Sequence, residues 1–317
     1  AGIDAFTKGN EGRLMRSLKS ILGTDLIHEK TQVGNKRISF EYILKTFISH
    51  LKRKSEKQLG DEVTSVVMGR PVHFVDGDHK ADERAQRKLE EVARLAGFKN
   101  IKFQFEPIAA ALTYESTLKK DELALIADIG GGTSDFSIVR VGPAHSQKAD
   151  RNEDILANTG MRVGGTNLDM HLSIASVMPH LGMESMSKDS FSDGKRSKLP
   201  AHLFYDLATW HKIHMLYTIK FERFIQNLSR EVDDKGEFVR YIEIIEAQKG
   251  HLLASLVEQC KIQLSDKEQT HLELVRVIKS ADIEIPIQRH IFETSILEER
   301  EKISSAIDFC LKEASTK

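Results

Sequence analysis

The residues best suited to chemistry lie in one stretch, Leu123 to Val141. An apolar run ends there in a single carboxylate, Asp128, and three glycines follow, Gly130, Gly131 and Gly132. Thr133, Ser134 and Asp135 come next, then a second apolar run from Phe136 to Val141. This pattern predicts two strands joined by a tight turn. Glycine reaches positive φ without steric cost, and having no side chain it lets backbone N–H groups approach a ligand closely. A row of such N–H groups makes an anion-binding concavity. Asp128 and Asp135 flank the turn and can hold a hard cation, and Thr133 offers a hydroxyl. A phosphate cradle, magnesium and carboxylates are the components of phosphoryl transfer. Taken alone, the same residues suit a hairpin turn with solvated aspartates equally well.

The elements around this stretch alternate between strand and helix. Glu11 to Leu22 places Leu14, Leu18, Ile21 and Leu22 on one helical face and stops at Gly23. Ser39 to Leu59 reads as a long amphipathic helix, with Ser39 as N-cap, a stripe of Phe40, Ile43, Leu44, Phe47 and Leu51, and Gly60 as its stop. Val63 to Met68 is a predicted strand, Asp82 to Ala96 a helix closing on Gly97, and Ile101 to Phe105 another strand. Pro107 suits the first turn of the helix that follows. Past the central hairpin, a strand at Asp154 to Thr159 leads to Gly164-Gly165-Thr166-Asn167-Leu168-Asp169, a second glycine turn opening a helix. A helix start presents free N–H groups and a positive dipole end, so an anion is expected there.

Beyond it, Glu184 to Lys198 is expected to be an exposed loop, and two long helices are expected at Phe204 to Leu228 and Glu237 to Leu264. His211 and His214 are spaced like metal ligands but have no third partner, which favours an ordinary pair of histidines. Strands at Leu272 to Ile278 and Ile283 to Ile287 and a helix from Ile291 to Leu311 complete the reading. Alternating strands and helices argue for an α/β layered domain.

The run from Asp128 to Asp135 resembles the second phosphate-binding motif of the actin-like ATPases, and within them that of the DnaK-type heat-shock chaperones. Upstream, Glu106-Pro107-Ile108-Ala109-Ala110-Ala111-Leu112 resembles that family's glutamate-proline-alanine helix start. The likeness extends over most of the chain and is greatest to the YegD-type chaperone-like branch. Gly69 to Phe74 resembles the family's proline-centred turn after a strand, and Leu18 to Gly23 the segment carrying its catalytic lysine, which puts that role on Lys19. Glu258, Lys261 and Ser265, at i, i+3 and i+7 of one helix face, resemble the residues that grip adenosine. Ile262 departs from the family, many of whose members carry a basic residue there.

The resemblance implies an α/β fold, the two-lobed actin-like ATPase (ribonuclease H-like) architecture. Residues 1–117 are then the remainder of lobe I and 118–317 lobe II, with an α-rich insertion subdomain at about 170–290. It implies ATP/ADP and Mg²⁺ as cofactors. Glu106 and Asp128 are expected to orient or deprotonate the attacking water, and Lys19 and Thr133 to stabilise the transferring phosphoryl group. Asp128 and Asp135 are the expected metal residues. Gly130, Gly131, Gly132, Gly164 and Gly165 are the expected phosphate cradle. Nucleotide state is expected to control lobe closure, and client or co-chaperone proteins are the expected partners. The family's first phosphate loop and its late adenosine motif are not found, so the fold is expected to be incomplete at both ends and the chain alone to bind ATP weakly and be inactive. A non-catalytic interaction scaffold and a small-molecule kinase of the same fold stay open as alternatives.

Composition agrees with these bounds. With 317 residues, 40% hydrophobic and 29% charged, the chain is an ordinary globular protein long enough for about two domains. A net charge of −1 gives no reason to expect nucleic acid or an anionic membrane as partner. Cys260 and Cys310 form no motif, which suits a reducing compartment, and no apolar run approaches membrane-spanning length and no signal-peptide core is present, so a cytoplasmic location is expected.

Overall fold

The computed structural model describes residues 15, 22, 25–33, 36–74, 78–148, 150–188, 196–232, 235–278, 280 and 282–315. The chain divides into two units. Unit 1 comprises Ala1–Ile129, Ser134–Met161 and Ser305–Lys317, and unit 2 comprises Gly130–Thr133 and Arg162–Ser304.

Unit 1 opens with an antiparallel hairpin, β1 (Lys30–Val33) and β2 (Lys36–Ser39). Ser39 then caps helix α1 (Phe40–Leu59), its side chain accepting from the Tyr42 N–H at 3.2 Å. Gly60 ends the helix in the left-handed region, φ 75, donating its N–H to Glu56 O. The buried stripe is centred on Leu44 and Ile48, whereas Phe47 and Leu51 of the expected stripe are exposed. Strand β3 (Ser65–Arg70) runs parallel to β4 (Asn100–Phe105), and helix α2 (His79–Leu95) makes the crossover between them. Asp78 caps α2 by accepting from Ala81 N–H at 2.9 Å, which starts the helix three residues before the expected Asp82. Ala85, Leu89, Val92 and Ala93 of α2 pack with Leu44, Ile48 and Phe98 in one core.

Helix α3 (Glu106–Glu115) follows β4 directly, with Pro107 in its first turn, where no intrahelical N–H is needed. Strands β5 (Glu122–Ile129), β6 (Ser134–Val141) and β7 (Ile155–Met161) form an antiparallel sheet in that order, with a bulge between Ile138 and Val139. Ile108 and Ala111 of α3 pack on Val139 and Val141, and burial of each large aliphatic side chain contributes about 1.5–3 kcal/mol. Glu115 closes α3 with a buried ion pair to Arg151, at 2.9 and 3.1 Å, while accepting from the Gly142 N–H at 2.9 Å. Arg151 also bonds Asp154, whose other oxygen takes Lys148 at 2.9 Å and His145 at 2.6 Å.

Unit 2 is mainly helical. Helix α4 (Gly165–Leu172) is followed by α5 (Ala201–Ala208), α6 (Ile219–Glu231), α7 (Lys235–Glu246) and α8 (Gly250–Gln263). Two expected long helices are therefore four, and the physical reasons lie at the breaks. Thr218 caps α6 afresh, and Gln248 takes a positive φ of 53 between α7 and α8. A Cβ on Gly250 would sit 2.6 Å from Ile213 Cγ2 and 2.9 Å from the Tyr217 oxygen, so α8 starts where the chain must pass closely under other side chains. Phe204, Phe238 and Tyr241 centre this core; the two phenylalanine rings lie 5.3 and 5.5 Å from Tyr241, which donates to Leu203 O at 3.1 Å. The expected loop at Glu184 to Lys198 contains a short hairpin, β8 (Met186–Lys188) with β9 (Arg196–Lys198). Hairpin β10 (Gln269–Glu273) and β11 (Glu284–Gln288) precedes α9 (Arg289–Ser295), and Ile296 separates α9 from α10 (Leu297–Ser315), so the expected final helix is also two. In unit 1 the end of α10 lies on β6, where the Cys310 thiol donates to Phe136 O at 3.4 Å.

Candidate functional site

The chemistry-bearing residues of unit 1 come together by strand register. Asp128 on β5 is the Cα partner of Asp135 on β6, and Asp135 is the partner of Gly160 on β7. The next row on the same face is Ile126, Ser137 and Asn158. Residues two apart on a strand share a face, and cross-strand partners bring their Cβ atoms to about 5 Å. Two carboxylates are thus side by side with a bare glycine beyond them. Asn158 donates to the Ser137 hydroxyl at 2.8 Å, which fixes the second row beneath the acids.

The start of α3 completes this group. Pro71, Val72, Glu106, Pro107, Ala110, Ile126, Asp128, Asp135, Ser137 and Asn158 line one small cleft that is open to solvent. Glu106 is held against β3: a Cβ on Gly69 would lie 3.3 Å from both its Cγ and its Oε1. Gly69 therefore leaves the space that the Glu106 side chain takes. Paired carboxylates such as Asp128 and Asp135 are oxygen donors of the type a hard cation takes.

The glycine segments belong to unit 2 and are bonded to each other. Gly130 N–H donates to Thr133 O at 2.8 Å, closing the turn. Gly165 N–H donates to Gly130 O at 2.9 Å, and Thr166 donates to Gly131 O through both its N–H and its hydroxyl, each at 2.7 Å. A Cβ on Gly164 would meet Gly131 C and Gly132 N at 2.7 Å and Gly130 O at 2.8 Å.

Two expectations need correction here. The triple glycine does not use positive φ: among the described residues the left-handed glycines are Gly60, Gly97, Gly142 and Gly182. Nor are the first N–H groups of α4 free for an anion, because those of Gly165 and Thr166 are spent on the carbonyls of the first turn. Within the first turn the N–H groups of Gly131, Gly132 and Thr133 donate to no acceptor among the described residues, and a Cβ on Gly131 meets nothing within 4 Å. The first glycine turn thus keeps unbonded N–H groups, and the second glycine segment supports it.

Lys261 reinforces that support. Its ammonium donates to Gly165 O at 3.0 Å and forms an ion pair with Asp169 at 2.7 Å. Glu258 is half-buried and Ile262 is 60% exposed on α8, whereas Ser265 is exposed and lies past the end of that helix at Gln263. Thr133 is exposed in the turn. Lys19 and the expected helix around it lie outside the described residues. His211 and His214 are both exposed, and no group of three metal-ligating side chains occurs among the described residues. Pro71, Val72, Ser137 and Asn158 line the cleft without having been singled out from sequence. The period-two alternation from Asp135 to Ser137 was the signal for one of them; the others depend on register and on the turn after β3.

No helix among the described residues is long and apolar enough to cross a membrane. Residues 19–181 match the Hsp70 protein family. Two curated relatives, each a "Chaperone protein DnaK", come from Thermosipho melanesiensis and Thermosipho africanus. Each is 32% identical over 165 residues, which is 51% of this chain and 25% of the relative. The chain thus aligns with about a quarter of the length of these relatives. The family brings with it the actin-like ATPase fold, in keeping with the mixed α/β units and with the placing of Glu106, Asp128 and Asp135 in one cleft. On the family match, which spans just over half of its residues, this chain belongs to the Hsp70 family.

Proposed function

We propose that this chain is the nucleotide-binding region of a DnaK-type chaperone that as a whole protein binds ATP or ADP with Mg²⁺ and hydrolyses ATP. The observation that carries the reading is the cross-strand pair Asp128 and Asp135 sharing one cleft with Glu106 at the start of α3. Asp128 and Asp135 would hold the metal. Glu106, with Asp128, orients the attacking water and accepts its proton. Gly131 and Gly132 offer backbone N–H groups to phosphate, and Gly130, Gly164 and Gly165 keep those groups in place. Thr133 and Lys19 stabilise charge on the transferring group. Glu258, Lys261 and Ser265 hold adenosine, with Ile262 packing on the base. The nucleotide supplies the phosphoryl group and magnesium neutralises its developing charge.

The proposal extends to the lobe assignment, 1–117 with 118–317 and an insertion at about 170–290, to control of lobe closure by the nucleotide, and to client or co-chaperone partners. It also places the protein in the YegD-type branch and in the cytoplasm; two free, buried cysteines suit a reducing compartment. The test is ADP titration by calorimetry with magnesium and with a chelator, on the protein and on Asp135→Asn. Magnesium is expected to strengthen binding at least about tenfold, or ~1.4 kcal/mol, and Asp135→Asn to abolish that gain. Equal affinity with and without magnesium overturns the metal assignment.

A further inference from the structure

Arg70 closes β3 beside the cleft, and its guanidinium is almost fully engaged. Nε donates to Pro71 O at 3.0 Å, one terminal nitrogen donates to Val72 O at 2.9 Å and Asp82 at 2.8 Å, and the other bonds the Gln86 side chain. Asp82 in turn accepts from the Phe74 N–H with its other oxygen. The guanidinium lies over two rings, Phe74 at 5.3 Å and Phe105 at 5.1 Å, and Phe105 is the Cα partner of Arg70 across the parallel pair. Only 12% of the Arg70 side chain is exposed, so these contacts are made away from bulk water, where they count for more.

What Arg70 holds is the wall of the cleft. Pro71 and Val72, whose carbonyls it bonds, line the cleft directly, and Phe105, on which it stacks, immediately precedes Glu106. We infer that Arg70 is a positioning residue for Glu106: it ties the turn after β3 to the end of β4 and so fixes where the Glu106 carboxylate sits. The inference rests on the hydrolytic role proposed for Glu106. A fork of donors and a flat face are both required, and lysine supplies neither. Displacing a catalytic group by about 1 Å can cost on the order of a hundredfold in rate.

The experiment is a double-mutant cycle of Arg70→Met and Glu106→Gln, with Arg70→Lys as the milder variant, reading ATP turnover and ADP affinity well below each variant's Tm. Arg70→Met is expected to lower turnover roughly 10- to 100-fold with ADP affinity within about twofold. Arg70→Lys should recover only a minor part of the loss, and Arg70→Met should cost little more when added to Glu106→Gln. Full turnover in Arg70→Met or Arg70→Lys, or the same loss from Arg70→Met with and without the Glu106→Gln change, overturns the inference while leaving the proposed function standing. Unchanged turnover in Glu106→Gln itself overturns the proposed role of Glu106 and the inference with it.

Discussion

Replacing Gly164 with alanine puts a Cβ 2.7 Å from the carbonyl carbon of Gly131 and the nitrogen of Gly132, and 2.8 Å from the oxygen of Gly130. Non-bonded carbon contacts settle at about 3.5–4.0 Å, so one segment must retreat by about 1 Å. The atoms in the way are backbone and cannot swing aside. Gly164 itself has φ −154, an extended value open to any residue, so the whole cost comes from packing. Overpacking of this kind costs about 1–3 kcal/mol, and each kcal/mol lowers Tm by about 2–4 °C in a domain of 150–250 residues. The displaced peptide carries the Gly132 N–H, one of those the turn leaves for an anion, so ADP affinity should fall at least about tenfold, or ~1.4 kcal/mol. Gly131→Ala is the counterpart. Its Cβ meets nothing within 4 Å, so Tm should hold while the methyl obstructs the approach of an anion and weakens ADP. Thermal unfolding and calorimetric titration of the two variants read both quantities. Gly164→Ala with wild-type Tm and affinity refutes the bonding of the two glycine segments, and Gly131→Ala with a large Tm loss and unchanged affinity refutes the cradle.

Arg151→Met leaves Glu115 and Asp154 buried without their shared cation, and chemical denaturation should show a loss of about 3–5 kcal/mol; a loss under ~1 kcal/mol contradicts the buried clamp. Asp154 gives that cluster a pH dependence. Burial acts to raise its carboxyl, but hydrogen bonds from Lys148, Arg151 and His145 outweigh burial and hold it below its ordinary 3.8. As pH falls the unfolded chain takes up the proton first, so this stability is present above 3.8 and is lost as pH drops through the lower folded value. Asp154→Asn should therefore be less stable than wild type at neutral pH, with the gap closing only in acid below that value; a gap constant with pH sinks the assignment. Burial pushes the Cys260 thiol up to about 11, so a thiol reagent near neutral pH should label it at the rate of local unfolding, and faster labelling than hydrogen exchange in α8 would contradict its burial.

The central hairpin was legible because its signal is local: two apolar runs, a glycine turn, and carboxylates at positions that antiparallel pairing must set opposite each other. The ends of α1 were legible for the same reason, since Ser39 and Gly60 terminate it by bonds within a few residues. What escaped was decided over distance. Apolar periodicity runs on through Ala247 to Lys249, and only the packing of Gly250 against Ile213, Leu207 and Tyr217 shows why the helix breaks there. Gly164 was read as contacting phosphate because the pattern of a glycine turn before a helix says so; its contact with Gly131 and Gly132 belongs to tertiary structure. Lys261 likewise reads as a ligand-facing residue at helical spacing, while its bonds to Gly165 and Asp169 join residues far apart in sequence. Arg70 looked like part of a turn, and its role emerges only when Phe105 arrives beside it by parallel pairing.

Glu106 lines one cleft with the paired aspartates, and its proposed role there is read by single-turnover ATP hydrolysis in the native protein and in Glu106→Gln. Glu106→Gln should hydrolyse ATP roughly 10²–10⁴-fold more slowly, with ADP and ATP affinities within about twofold of wild type. An unchanged rate, or equal losses of rate and affinity, would contradict that role.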